Sequence, residues 1–267
     1  MYGKFLLYKN FEVEVFEDTI SQYKTKFASD TDMLKQRDTI VYDTIDGVDF
    51  TPNKDMQISI VNDGTVNAGR KAVENANGGR VAILNFADAI EPGGLVLVGE
   101  TTQEENICRC SNLYASITTE KAYDEYYKIN AKSVSGIYTD RIIYSKDVTF
   151  FKDDVTYENV EPYKMDVITC PAPSARIMNK QTEYMIIRSR IENIIKSAIL
   201  NGVRHIILGA WGCGAFGQNP VVVSQCFMSV LKVYNAFDTV VFAIRNCNAD
   251  NVKSSNYIAF NDTISKS

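Results

Sequence analysis

The sequence predicts a layered α/β domain built on a largely parallel sheet. Two patterns carry that reading. Short apolar runs rich in β-branched residues are each closed by turn residues, and stretches with apolar residues at helical spacing alternate with them. Length is a third observation, because 267 residues suffice for one large domain with a sizeable core.

Taken in order, residues 10–45 are polar, aromatic and charged, and Phe11–Ile20 reads as a helix with a mixed face. That region is expected to be an extension packed on the core, with residues 1–50 set apart from a catalytic unit of 51–267. Met56–Val61, Arg80–Phe86, Met165–Cys170, His205–Trp211 and Thr239–Ile244 have the length and composition of buried strands. Between the later runs, Ile187, Ile191, Ile194, Ile195 and Ala198 fall on one face of a helix over 181–200, which Asn201-Gly202 stops. Pro220 suits the first turn of another helix, whose stripe is Val223, Phe227, Val230, Leu231 and Tyr234. Ligands of such folds bind beyond the C-terminal ends of the parallel strands, so the loops after these runs are where chemistry is sought.

Composition excludes several classes. A net charge of −5 argues against a general electrostatic grip on nucleic acid. It leaves room for an anion held by backbone N–H groups at a helix N-terminus. No apolar run approaches the roughly 20 residues of a membrane-spanning helix, and no secretory signal is read, so the expected location is the cytoplasm. Six cysteines occur without a Cys-x-x-Cys pair and beside the single histidine, His205, which predicts free, packed thiols and no metal site. His205 opens an apolar run and reads as structural. Arg109, between Cys108 and Cys110, is expected to make at most a weak exposed pair with a carboxylate.

Two loops carry candidate chemistry. After Arg80–Phe86 comes Asn85-Phe86-Ala87-Asp88, then Pro92-Gly93-Gly94-Leu95, then Gln103-Glu104-Glu105. By itself the glycine pair is either a tight turn or a backbone cradle for a diphosphate. The acid pair is either a solvated helix start or two carboxyl groups with separate tasks, since neighbours on a helix point about 100° apart. After His205–Leu208 comes Gly209-Ala210-Trp211-Gly212-Cys213-Gly214-Ala215-Phe216-Gly217, a glycine-rich run leading into a helix. Phe216 either presents its ring to a sugar or base or plugs the core. No Gly-Lys-Ser/Thr sequence supports a P-loop.

In combination these blocks are specific. The order Asn-Phe-Ala, Pro-Gly-Gly, Gln-Glu-Glu, Cys-Arg and Leu-Tyr over Asn85–Tyr114 closely resembles the microbial poly(ADP-ribose) glycohydrolases, a family of macrodomains. Ile137-Tyr138-Thr139-Asp140, Pro162-Tyr163-Lys164, Val167–Pro173 and Leu208–Gly217 continue the likeness in order, over nearly the whole chain. The resemblance implies a three-layer α/β/α macrodomain with a mixed, largely parallel sheet, an N-terminal helical extension and a cleft for ADP-ribose. It implies Glu105 as the catalytic acid, Glu104 bonded to ribose hydroxyls, and Gln103 shaping the site. Gly93 and Gly94 would approach the diphosphate and ribose. Gly212, Cys213, Gly214, Ala215, Phe216 and Gly217 would wrap the phosphates, with Phe216 on the distal ribose. Asn85 and Asp88 would contact ligand at a strand end. No cofactor or metal is implied, and the expected partner is ADP-ribose or its polymer, including polymer on modified proteins, met by a monomer.

The family carries three consecutive glycines where this chain has Gly93-Gly94-Leu95. A leucine does not readily take φ > 0, so Leu95 predicts a repositioned loop, a different substrate or weaker catalysis. The expected chemistry is hydrolysis of the ribose–ribose O-glycosidic bond. Glu105, kept protonated by an apolar setting and by the negative charge of Glu104, would donate to the leaving oxygen, and water would then attack. The competing readings are removal of mono-ADP-ribose from a target, a non-catalytic ADP-ribose reader, and an unrelated nucleotide-binding α/β protein.

Overall fold

A computed structural model describes residues 10–134, 136–177, 179–246 and 254–266. Cys247, one of the expected free thiols, lies outside the described residues. Seven strands form one sheet: β1 (Thr39–Tyr42), β2 (Gln57–Val61), β3 (Arg80–Ala87), β4 (Ile142–Lys152), β5 (Asn159–Pro171), β6 (Val203–Leu208) and β7 (Thr239–Ala243), in the order β1-β4-β5-β3-β6-β7-β2. The five strands from β5 to β2 run parallel, while β4 pairs antiparallel with both β5 and β1. The mixed, largely parallel sheet is therefore as the sequence predicts.

The helices are α1 (Phe11–Lys24), α2 (Ala28–Gln36), α3 (Thr65–Asn75), α4 (Gln103–Cys110), α5 (Leu113–Ile117), α6 (Glu120–Ala122), α7 (Lys128–Lys132), α8 (Lys180–Leu200), α9 (Pro220–Val233) and α10 (Ser255–Ile264). They cover both faces. On one, Ile187, Ile191, Ile194, Ile195 and Ala198 of α8 meet Val223, Phe227 and Leu231 of α9 and Phe260 of α10 over Leu84, Ile206 and Val240. On the other, Phe16, Leu34, Val66, Ile107 and Leu113 of α1–α5 pack on Ile83, Ile143 and Val167. Two apolar layers on one sheet explain why β3 and β6 read as unbroken apolar runs. Each fully buried Ile or Leu contributes roughly 1.5–3 kcal/mol, so a charged residue at Ile191, at the centre of α8, would break that layer.

The helix ends follow their local chemistry. Asn10, Asn179 and Asn219 each accept a backbone N–H from the first turn of α1, α8 and α9, and Pro220 occupies the first turn of α9. Two strands escape the sequence pattern. β4 contains Ser-Lys-Asp in mid-run, which interrupts the apolar pattern. In the fold its register shifts between Ser145 and Val148, with Asp147 at φ 54°, and the Asp147 N–H donates to Asp166 Oδ1 at 2.9 Å. The polar triplet is thus a β-bulge held from below. β1 is only four residues long. In the other direction, the apolar run His205–Trp211 is strand only to Leu208, and Gly209–Trp211 already belong to the loop.

Arg109 corrects its expectation. It is completely buried, and its Nε donates to Glu12 O at 3.1 Å while Nη2 donates to Glu100 O. The reason is tertiary: α1 lies across α4, excludes water, and leaves backbone carbonyls as the acceptors. Among the described residues no helix is long and apolar enough to cross a membrane.

Candidate active site

The loops that follow β3, β6 and β5 meet at one end of the sheet. Gln103, the first residue of α4, ties α4 to β3: its Oε1 accepts the Phe86 N–H at 2.8 Å, and its Nε2 donates to Leu84 O at 2.7 Å and to Thr65 Oγ1 at 3.2 Å. An amide has one strong acceptor and two donor hydrogens, and this one spends them inside the protein. Gln103 also lines the cleft described below.

Glu104 and Glu105 are both buried, at 2% and 4% exposure, so the solvated helix start is excluded. Glu104 Oε1 accepts from Asn85 Nδ2 at 3.1 Å, and Oε2 accepts from the Asp88 N–H at 2.7 Å. Asn85 is itself fully buried beneath it. Asp88 Oδ1 closes its own turn by accepting the N–H groups of Ile90 and Glu91 at 2.7 and 2.8 Å. Burial pushes the Glu104 carboxyl up to about 8, with smaller raising contributions from Asp88 and Glu105, against the lowering effect of the two hydrogen bonds. Burial thus favours the protonated form of Glu104 over the negative charge expected of it.

Glu105 points differently, as adjacent helical residues must. Its Oε1 accepts the Leu95 N–H at 2.9 Å, and its Oε2 accepts the Thr102 hydroxyl. Gly94 stands between the acids at φ 58°; a Cβ there would lie 2.4 Å from Glu105 Oε1 and 3.4 Å from Glu104 Oε2. Only glycine gives this backbone both the left-handed conformation and the room. Leu95 escapes the backbone strain expected of it. It sits at φ −102°, an ordinary value, with its side chain turned outward and 54% exposed. The left-handed demand falls on Gly93 and Gly94, so a side chain at the third position is accommodated, and its N–H still reaches Glu105.

The second loop carries Gly212 and Gly217 at φ 76° and 69°. Among the described residues, no protein acceptor faces the consecutive N–H groups of Gly214, Ala215 and Phe216. Backbone N–H groups without a protein acceptor are free to bind an anion. Cys213 is a thiol rather than a thiolate, since burial pushes it up to about 12. Phe216 is partly buried against the α8–α10 layer and also meets Tyr138 edge to face at 6.4 Å. Its two readings are therefore not exclusive.

A cleft of about 1070 Å³ starts at Thr102, Gln103, Phe86 and Gly214 and runs to Asp63, Asp154 and Arg245. The far wall was not read from the sequence. Asp63–Val66 follows β2 and Arg245 follows β7, and applying the strand-end rule to every run would have flagged both. Asp154 follows β4, which was itself missed. Of the expected site residues, Gln103 and Gly214 line this cleft, while Asn85, Asp88, Gly93, Gly94, Glu104, Glu105, Gly212, Cys213, Ala215, Phe216 and Gly217 lie outside its lining. Among the described residues no group of three or more His, Cys, Asp or Glu is placed to hold a metal ion.

The site is thus a pair of buried carboxyl groups near a strand-end cleft in a sheet covered by helices on both faces. The family model for the catalytic domain of microbial-type poly(ADP-ribose) glycohydrolase (PARG) matches residues 16–153, and the chain belongs to that family. No curated protein sequence matches. The crystal structure of poly(ADP-ribose) glycohydrolase from Thermomonospora curvata is similar at 27% identity and a TM-score of 0.81, over 94% of this chain and 98% of that one. The same enzyme bound to the inhibitor ADP-HPD gives a TM-score of 0.80 at 27% identity, with the same coverage. The Deinococcus radiodurans enzyme in complex with ADP-ribose is similar at 29% identity and a TM-score of 0.77, over 88% of this chain and 97% of that one.

Proposed function

We propose that this glycohydrolase binds ADP-ribose units along the cleft and cleaves the ribose–ribose O-glycosidic bond with Glu105 as the reacting acid. The carrying observation is the different tethering of the two carboxyl groups. Glu104 is tied on both oxygens by Asn85 and Asp88, which suits an anchor for ribose hydroxyls. Glu105 is also held on both oxygens, by the Leu95 N–H and by the Thr102 hydroxyl, but Thr102 is a residue of the cleft wall, which suits proton transfer to a bound ligand. Asn85, Asp88 and Gln103 act as positioning residues. The N–H groups of Gly214, Ala215 and Phe216 hold the diphosphate, flanked by Gly212, Cys213 and Gly217, and Phe216 with Tyr138 borders the distal ribose. Gly93 and Gly94 give the sugar close access to the acid pair.

As the C1″–O bond breaks, positive charge grows on the ribose and the leaving oxygen takes the Glu105 proton; water then adds at C1″ and returns a proton to Glu105. The neighbouring diphosphate offsets the growing charge. The test is release of ADP-ribose from poly(ADP-ribose). Glu105→Gln is expected to keep ADP-ribose affinity and to lose turnover by roughly 10²-fold or more. If Glu104→Gln abolished turnover while Glu105→Gln retained it, the two roles would be exchanged. The same reading takes residues 1–50 as an extension on a catalytic unit of 51–267, and the enzyme as a cytoplasmic monomer acting on polymer carried by proteins, without general nucleic-acid binding. Five free cysteines among the described residues support a reducing compartment.

A further inference from the structure

A carboxylic acid carries its proton on one oxygen, and the surroundings of Glu105 decide which. Oε1 faces the Leu95 N–H at 2.9 Å. A backbone N–H only donates, and the carbonyl oxygen of a carboxyl group accepts better than its hydroxyl oxygen, so this bond favours an unprotonated Oε1. Oε2 faces the Thr102 hydroxyl, which both donates and accepts. That contact therefore survives in either state: Thr102 donates to the carboxylate and accepts from the acid. Thr102 is exposed and lines the cleft, so Oε2 is the Glu105 oxygen bonded to the cleft wall.

A second observation separates this arrangement from ordinary helix capping. Thr102 is the N-cap residue of α4, and Thr102-Gln103-Glu104-Glu105 has the spacing of a capping box. A threonine there normally accepts an N–H of the first turn, yet this side chain makes no such cap bond. The glutamate of a capping box reaches back to the N-cap N–H, yet Glu105 takes the N–H of Leu95 instead. Both partners of the box are diverted from capping the helix to fixing the acid.

We propose that Thr102 is a positioning residue that keeps the catalytic proton on Oε2 of Glu105, a role that rests on Glu105 being the acid. When the C1″–O bond breaks, its electron pair stays with the leaving oxygen, which takes the proton from Oε2, and the Thr102 hydroxyl turns to donate to the new carboxylate. Water adds through its oxygen to C1″, one of its protons passes to Oε2, and Thr102 turns back to accept.

The test compares Thr102→Val, which keeps the shape and removes the hydroxyl, with Thr102→Ser, which keeps the hydroxyl, and with Glu105→Gln. Turnover on poly(ADP-ribose) is measured alongside direct ADP-ribose binding. In Thr102→Val, kcat falls by about 10-fold or more while the ADP-ribose Kd stays within about 2-fold. In Thr102→Ser, kcat returns to within about 3-fold of wild type. Wild-type kcat in Thr102→Val overturns the proposal, as does a parallel loss of kcat and ADP-ribose binding in both Thr102 variants, the mark of a damaged helix end. Glu105→Gln separates the two levels. If it stays active, the assignment of the acid fails; if it is inactive while Thr102→Val is fully active, only the role of Thr102 fails.

Discussion

Gly94→Ala is the substitution whose effect the structure specifies most closely. Two effects add. The residue is at φ 58°, where an L-residue is strained by roughly 1–2 kcal/mol. In a chain of 267 residues that lowers Tm by about 2–4 °C per kcal/mol. The new Cβ would also lie 2.4 Å from Glu105 Oε1, so the carboxyl must retreat by about 1 Å to reach ordinary contact. That retreat pulls Oε1 off the Leu95 N–H and swings Oε2 relative to Thr102. Misplacement on this scale costs roughly 10²-fold in rate. The control is Gly202→Ala, at φ 71° with nothing within 4 Å of the added atom: equal backbone strain, no collision, and no part in the site. Thermal melts and turnover on poly(ADP-ribose) are measured for both. The expected result is a Tm loss in each, larger in Gly94→Ala, and a kcat loss confined to Gly94→Ala. Turnover of Gly94→Ala within about 3-fold of wild type would refute the placement of the acid pair against Gly94.

Two further predictions test the electrostatics. Burial holds the folded Glu104 at about 8 against an ordinary 4.5, so the folded state binds the extra proton between those values. The stabilisation linked to that proton is complete below about 4.5 and is lost as pH rises through about 8. Glu104→Gln should therefore flatten the fall in Tm between pH 5 and pH 9, and an unchanged slope would contradict the burial shift. Arg190 of α8 is 1% exposed and joins Asp140 at 3.0 Å, Pro171 O at 2.9 Å and Ile137 O at 3.0 Å. Arg190→Met is expected to cost about 1–3 kcal/mol in urea unfolding, because it leaves the buried Pro171 carbonyl and the partly exposed Asp140 and Ile137 acceptors without their donor. A cost below about 1 kcal/mol would show that water replaces the guanidinium.

The alternation of strands and helices was legible because it is local. Apolar spacing along β3, β6, α8 and α9 reflects burial on two faces or one, and Pro220 and Asn201-Gly202 mark ends through backbone chemistry alone. The acid pair and the glycine-rich loop were legible as blocks in order, since a strand-end site draws on short contiguous segments. What stayed hidden was polar and non-local. β4 was lost to a bulge whose Lys146 and Asp147 interrupt the pattern, and with it went Asp154 in the cleft wall. Arg109 looked like a surface residue because nothing near it in sequence announces that α1 will lie across it.

Five of the seven strands, the main helices, the family and the two loops that carry the chemistry were readable from the chain alone, because periodicity and motif order are local properties. The partners of the two adjacent glutamates, the left-handed backbone at Gly93 and Gly94, and the bond from Thr102 to Glu105 in place of a helix cap all follow from the tertiary structure. Each of these depends on how segments far apart in the chain meet: β3 beneath α4, the Gly94 turn against both carboxyl groups, and α1 behind Arg109. Hydrogen-bond partners and desolvation are set by that meeting, and one residue's identity does not encode them.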